Sequence, residues 1–229
     1  MVLRIALAFV LALAAWLPCR VARADSTPAA TADKADVVLK QLMQQAPDRA
    51  IPKDLLRHAY AIAVIPDVIK LGLVLGGRHG EGLISVKRAN GQWSAPAFIT
   101  LSGASVGFQA GVSSTDVVLV FGSKRGVDTL VNGKLTLGVD AHAAAGPVGR
   151  NVSAATDVAL QSAVYSYSRS RGLFAGVALD GAVLRIDDKA NAALYGSEQT
   201  AQQVFASDTN SLPGPLARFH DQLLQYTGQ

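Results

Sequence analysis

The chain has 229 residues, half of them hydrophobic and 17% charged, with a formal net charge of +4 and one cysteine. That length supports one domain, with room for an appendage and a sizeable core. The lone cysteine excludes an intrachain disulfide, and the basic excess proves to be a property of the first segment only.

Residues 1–24 read as an export signal. Arg4 supplies the charged start, Ile5 to Leu17 is an apolar run too short to span a bilayer, and Ala22 and Ala24 form a small-residue cleavage pattern before Asp25. Removing Arg4, Arg20 and Arg23 with that segment leaves a formal charge of about +1. A nucleic-acid partner, which needs a basic domain, is not expected. Cys19 leaves with the signal, so no thiol chemistry is expected in the mature chain. Pro18 stands directly before it, where a lipid-anchoring cysteine follows a small residue. The expected location is exported, periplasmic or envelope-associated, with no lipid anchor through Cys19.

Asp25 to Asp33 reads as a polar tail. Asp36 then caps a helix through "VVLKQLMQQ", with Val38, Leu39, Leu42 and Met43 as its stripe. A second short helix follows at "IPKDLLRHAY", with Pro52 in its first position. From Ala61 the pattern changes to strands and turns. "AIAVI" ends at Pro66, and "LGLVLGG" and "EGLISVKR" flank a glycine cluster. Asn90-Gly91, Asn132-Gly133 and Asp180-Gly181 mark turns, and "GSKRGVDTL" reads as a polar link. Glycine within strands suits a sheet that bends. Ala190 to Tyr195 and Glu198 to Ala206 are short helices. Pro215 opens a last one, with Leu216, Phe219, Leu223 and Leu224 on its apolar face.

Three motifs invite a chemical reading. "LGLVLGGRHGEG", Leu71 to Gly82, approaches a phosphate-binding loop. It has Arg78-His79 where that loop needs Lys and a hydroxyl, and a β-branched strand follows where a helix N-terminus is required. A hairpin with a glycine-rich connection is the preferred reading. "GASVG" places Ser105 in a G-x-S-x-G pattern, with Asp128 or Asp140 and then His142 or His220 in the order an esterase needs. Its flanks alternate like a strand, so the esterase ranks as a rival reading. The four histidines, His58, His79, His142 and His220, are scattered. Asp140 and His142 would share a strand face without a third ligand, so no metal or other cofactor is expected.

"YSYSRSR" is the most informative polar run. In a strand, Tyr165, Tyr167, Arg169 and Arg171 share one face and the serines the other. Arginines beside aromatic rings suit an anionic headgroup, whereas the alternative is a plain solvated sheet face. "GPVGR" offers Arg150 beside backbone N–H groups.

The ordered series "AIAVIP", "GGRHGEG", "GQWSAPAFI", "GFQAGV", "TDVVLVF", "LTLGVDAHAAAGPVGRN", "YSYSRSRGLFAGVALDGAVL" and "NAALYG" resembles the SYLF domain, a family of lipid-binding modules, over about Ala50 to Gly196. The resemblance implies a domain without catalysis. Its eukaryotic members are similar to phosphoinositide and actin binders at membranes, and its bacterial members are exported. In this chain the N-terminal helix is only weakly basic, with Lys34 and Lys40 set against Asp33 and Asp36. What the resemblance carries over is binding of phospholipid or another anionic surface.

The expected architecture is α+β: a curved, partly barrel-like antiparallel sheet with N-terminal and C-terminal helices packed on it. The expected divisions are residues 1–24 (signal), 25–49 (tail and helix), 50–196 (SYLF-like core) and 197–229 (helical end). The candidate headgroup contacts are Lys70, Arg78, Arg150, Tyr165, Tyr167, Arg169 and Arg171. The partner is phospholipid or an anionic membrane surface, with an envelope protein as the rival.

Overall fold

The computed structural model describes residues 27–45, 50–72, 75–106, 111–146, 163–170, 173–174, 179–196 and 199–228. Within them the order of elements is α1 (Pro28–Met43), α2 (Lys53–His58), β1 (Ala61–Gly72), β2 (Leu75–Val86), β3 (Ala97–Val106), β4 (Gly111–Phe121), α3 (Lys124–Val131), β5 (Lys134–Thr136), β6 (Ala143–Ala145), β7 (Val164–Ser170), β8 (Leu173–Phe174), β9 (Val183–Ile186), α4 (Asp188–Tyr195), α5 (Ala201–Ala206) and α6 (Gly214–Thr227). The strands form one curled half-barrel sheet in the order β5-β9-β3-β2-β1-β4-β7-β6, with β8 also beside β7. The α+β class is as expected. Among the described residues every pairing between named strands is antiparallel except β6 with β7, which is parallel. The long connection from Gly146 to Ala163 is what allows a parallel return.

Both faces of the central strands are covered. On one face Ala61, Ala63, Ile65, Ile84, Ile99, Val117 and Leu119 pack with Val127 and Leu130 of α3 and with Val204 and Phe205 of α5. On the other, Ile62, Val64, Leu83, Phe98, Val118 and Val120 pack under α1, α2 and α6. These are called below the α3 face and the α6 face. The run "AIAVI" is apolar at every position because each alternate side chain enters one of two cores. Leu39 and Leu42 of α1 and Leu216, Phe219 and Leu223 of α6 are at most 1% exposed. Each contributes roughly 1.5–3 kcal/mol of burial.

Three local expectations change. α1 begins at Pro28, not Asp36. Thr27 is its N-cap, its side chain accepting from the Ala30 amide at 3.3 Å, and Pro28 suits the first turn. Asp36 is therefore mid-helix, and the stripe extends back through Thr31, Ala32 and Ala35. "GSKRGVDTL" is mostly helix α3, because Val127, Leu130 and Val131 lie at i, i+3 and i+4 and bury one face. Finally, β1 does not stop at Pro66. It runs on to Gly72 through a bulge: Ile65 to Val68 on β1 spans Val117 to Thr115 on β4, one residue more than its partner. Asp67 sits in this bulge at φ 48°, a left-handed conformation that aspartate tolerates better than most residues.

Candidate functional site

The glycine cluster is not a loop. Gly76, Gly77, Gly80 and Gly82 all lie within β2, paired in register with β3. The hairpin reading holds for the two strands, but their connection lies at residues 73–74, outside the described set. A phosphate loop needs a helix after the glycines, and here the strand continues to Val86.

Past the bulge the registers of four strands align into rungs. From the end of the sheet inward they are Gly111–Gly72–Gly76–Ser105, Val112–Leu71–Gly77–Ala104, Ser113–Lys70–Arg78–Gly103 and Ser114–Ile69–His79–Ser102, read across β4, β1, β2 and β3. The registered pairing of β7 with β4 ends at Arg169–Asp116, and that of β9 with β3 at Val183–Ser102. Among the described residues the outer rungs therefore form a four-stranded tongue with no further strand registered beside it.

Two of the sequence candidates meet there. Lys70 and Arg78 are directly opposite on neighbouring strands, so their side chains share the α3 face. Lys70 is exposed and Arg78 half-buried. The Arg78 Nη2 donates to the Ala104 carbonyl at 3.3 Å. Burial pulls the Arg78 pKa down, and Asp180 in the neighbouring turn opposes that shift. No Asp or Glu occurs between Val68 and Gly80 or between Leu101 and Thr115. On the α6 face of the same rungs, Ile69, Leu71 and Val112 are 44%, 45% and 74% exposed.

The "YSYSRSR" face is placed differently. Tyr165 and Tyr167 do share a face with Arg169, but both rings are 2% exposed in the core beneath the helices. Solvent-facing headgroup contact by these rings is not what this packing provides. Burial raises the Tyr167 pKa, with the neighbouring Tyr165 adding to the shift. Sequence alternation gives the shared face, but which face is wet depends on helices from either end of the chain. Arg169 Nη2 lies 3.4 Å from Asp116 Oδ2, the Asp116 side chain being 14% exposed. Asp116 Oδ1 accepts from the Asp67 amide at 3.1 Å, and Asp67 is bridged by Lys34 of α1 at 2.9 Å. Arg169 thus ends a chain of ionic contacts that fixes α1 over the bulge. Arg150 and Arg171 lie outside the described residues.

The backbone at Ser105 does not form a nucleophile elbow. Ser105 is in β3 opposite Gly76, within an antiparallel ladder, whereas a nucleophile elbow needs a strand-to-helix turn. Asp128 pairs with Lys124 at 2.9 Å. His220 is buried on α6 with Nε2 3.5 Å from the Trp93 carbonyl. Asp140 is in a turn, its carboxylate accepting from the Thr136 amide at 2.7 Å. Among the described residues no three metal-ligating side chains gather. A broad cleft between α3, β9 and α5, lined by Val131, Ile186, Lys189 and Thr200, touches none of the sequence candidates.

The described residues thus form an α+β half-barrel with a projecting sheet end. Residues 102–225 match the family model described as "Ysc84: Las17-binding protein actin regulator". The chain belongs to this Ysc84 (SYLF) family. It is 35% identical over 176 residues to LAS seventeen-binding protein 3 of Saccharomyces cerevisiae, covering 75% of this chain and 38% of that one. Protein YSC84 of the same yeast is 36% identical over 176 residues, at 75% and 37% coverage. The human SH3 domain-containing YSC84-like protein 1 is 33% identical over 183 residues, at 78% and 53%. The chain thus spans about half or less of the length of these relatives.

Proposed function

We propose that this domain binds an anionic phospholipid or similar amphiphile at a bacterial cell envelope, without catalysing a reaction. The observation that supports the reading best is the Lys70–Arg78 rung, two cations side by side on a sheet end that contributes no carboxylate of its own. Paired cations attract a phosphate, and a surface of many phosphates multiplies a weak contact. Vesicles of phosphatidylglycerol and phosphatidylethanolamine should sediment the protein at low salt, and phosphatidylcholine vesicles should not. Lys70→Glu with Arg78→Gln should weaken the binding about fivefold or more while leaving the circular dichroism spectrum unchanged. Unchanged binding would remove this rung from the site. The absence of catalysis is checked with a serine-directed phosphonate, which should not label Ser105. Export is checked by fractionation and N-terminal sequencing, with Asp25 expected as the first residue.

A second reading is a protein-docking module, which the names of the family and of LAS seventeen-binding protein 3 favour. Co-sedimentation with purified filamentous actin, together with no binding to any vesicle, would support it over the lipid reading.

A further inference from the structure

The tongue carries a second set of side chains that headgroup attraction does not use. Ile69, Leu71 and Val112 are aliphatic, substantially exposed and clustered by register, Val112 lying directly opposite Leu71 on the α6 face. We propose that the end of this tongue enters the bilayer interface, so that the partner is an assembled membrane and not a soluble headgroup. The inference rests on the lipid reading and adds the mode of contact.

Three features of the arrangement point to a bilayer as the occupant. The first is its order along the strands. Leu71 and Val112 occupy the rung nearer the end, Lys70 and Arg78 the next one inward and Ile69 the one after. The acidic side chains of these strands, Asp67, Glu81 and Asp116, begin only behind Ile69 and His79, and Asp180 of the neighbouring turn acts on Arg78 from outside the four strands. The outermost of these side chains are apolar, the cations come next and the carboxylates of the strands lie innermost, which is the order of environments met on leaving an anionic bilayer. Val112 stands four residues from Asp116 along β4, about 13 Å at a strand's rise. That accommodates entry by roughly 5–10 Å into the headgroup and acyl boundary. The second feature is that the aliphatic and cationic groups lie on opposite faces of the same tongue, in adjoining rungs. A folded partner seated on one face would leave the other set unused, whereas a fluid interface surrounding the sheet end contacts both. The lysine stem can lie along apolar surface while its ammonium stays with the phosphates. The third feature limits the depth. Among the described residues the outer parts of β3 and β4 have no registered neighbour on their far sides, and free strand edges are not tolerated in hydrocarbon. Contact is therefore shallow.

The test uses the full chain with Val112→Trp as a reporter, since the side chain at that position is 74% exposed and its replacement disturbs no core. In phosphatidylglycerol-containing vesicles its emission should shift to the blue, and brominated lipid should quench it beyond the background of the wild-type tryptophans. Replacing Ile69, Leu71 and Val112 together by Ser should weaken vesicle binding about tenfold or more. It should leave any weak binding of glycerol 3-phosphate within twofold. Part of the wild-type binding should survive salt concentrations that screen exposed charges. If wild-type protein binds anionic vesicles but the reporter is neither shifted nor quenched, or the triple variant binds as tightly as wild type, insertion is overturned and headgroup binding stands. If wild-type protein binds no anionic vesicle, both readings fall. Self-association abolished by Val112→Ser, with no vesicle binding, would assign the face to a second copy and also overturn the proposal.

Discussion

Gly82 packs against the bulge of β1. A Cβ there would lie 2.2 Å from the Val64 carbonyl oxygen and 2.7 Å from the Ile65 Cα, both backbone atoms that cannot swing aside. Gly82→Ala should destabilise the fold by about 2–4 kcal/mol, read as a lower urea midpoint at unchanged slope. Gly77→Ala on the tongue is the control. Its added methyl would meet nothing nearer than 4.0 Å, so its midpoint should stay within about 0.5 kcal/mol of wild type. His220 gives a dependence on pH. Burial lowers its pKa, with the Trp93 carbonyl opposing. The unfolded chain then binds the proton more readily than the folded one. The stability it contributes is complete above the ordinary histidine value of about 6.5 and declines as pH falls below it. Melting curves between pH 7.5 and 5 should show a drop in Tm that is smaller in His220→Gln, and equal slopes would place the acid sensitivity elsewhere. Asp36, whose pKa burial raises against the pull of Arg218, acts in the opposite sense. At this scale the sequence identifies residue types well and partners poorly. Arg169 reads as a free cation until Asp116, which precedes it by more than fifty positions, is seen beside it.

Among the elements, α5 is closed at its end by one side chain from beside the sheet. Arg88, just past β2, donates from Nε to the Phe205 carbonyl at 2.8 Å and from Nη2 to the Ser207 carbonyl at 2.5 Å, closing the C-terminal end of α5. Arg88→Ala should raise amide exchange across residues 201–206 while α6 stays protected, because α6 is secured separately by Phe219, Leu223 and the Trp93 Nε1 to Thr227 bond of 3.0 Å. Equal loosening of both helices would show that they open as one unit. α1 is tied at two points, Asp33 to Arg218 on α6 and Lys34 to Asp67 in the bulge. The strands, the turns at Gly91 and Gly181 and the last helix were legible because their signals are local: positive φ at glycine, alternation, and an apolar stripe after Pro215. In the sequence Asp36 looks like the cap of α1, whereas Thr27-Pro28 is the pair that makes one. α3 is hidden in the sequence because Lys124, Arg125 and Gly126 look like a polar link. Gly126 is buried, and a methyl there would stand 3.2 Å from the Phe121 ring.

For the whole molecule, a curled antiparallel sheet followed from glycines and short alternating runs, and it was found. The parallel β6–β7 pairing did not follow, since a three-residue alanine run carries no sign of its direction. Two-sided burial separates what the sequence shows from what it hides. Tyr165 and Tyr167 look amphiphilic as a run, yet they finish as core because α1 and α6, from opposite ends of the chain, close over that face. The tongue is the converse case. Its glycine-rich text suggested a loop, and only the register reveals that Lys70 and Arg78 are neighbours while Ile69, Leu71 and Val112 point the other way.

The bulge at Ile65–Val68 decides that polarity by counting. Without its extra residue, strict alternation from Ile65 would turn Ile69 and Leu71 toward the α3 face and Lys70 toward the α6 face. Removing one residue at Asp67 would keep every outer side chain of β1 and exchange its two sides, with no change to β2 or β4. Leu71 would then no longer share a side with Val112, nor Lys70 with Arg78. A lesion of one residue that belongs to neither group would scramble the two-sided surface as thoroughly as replacing all of them.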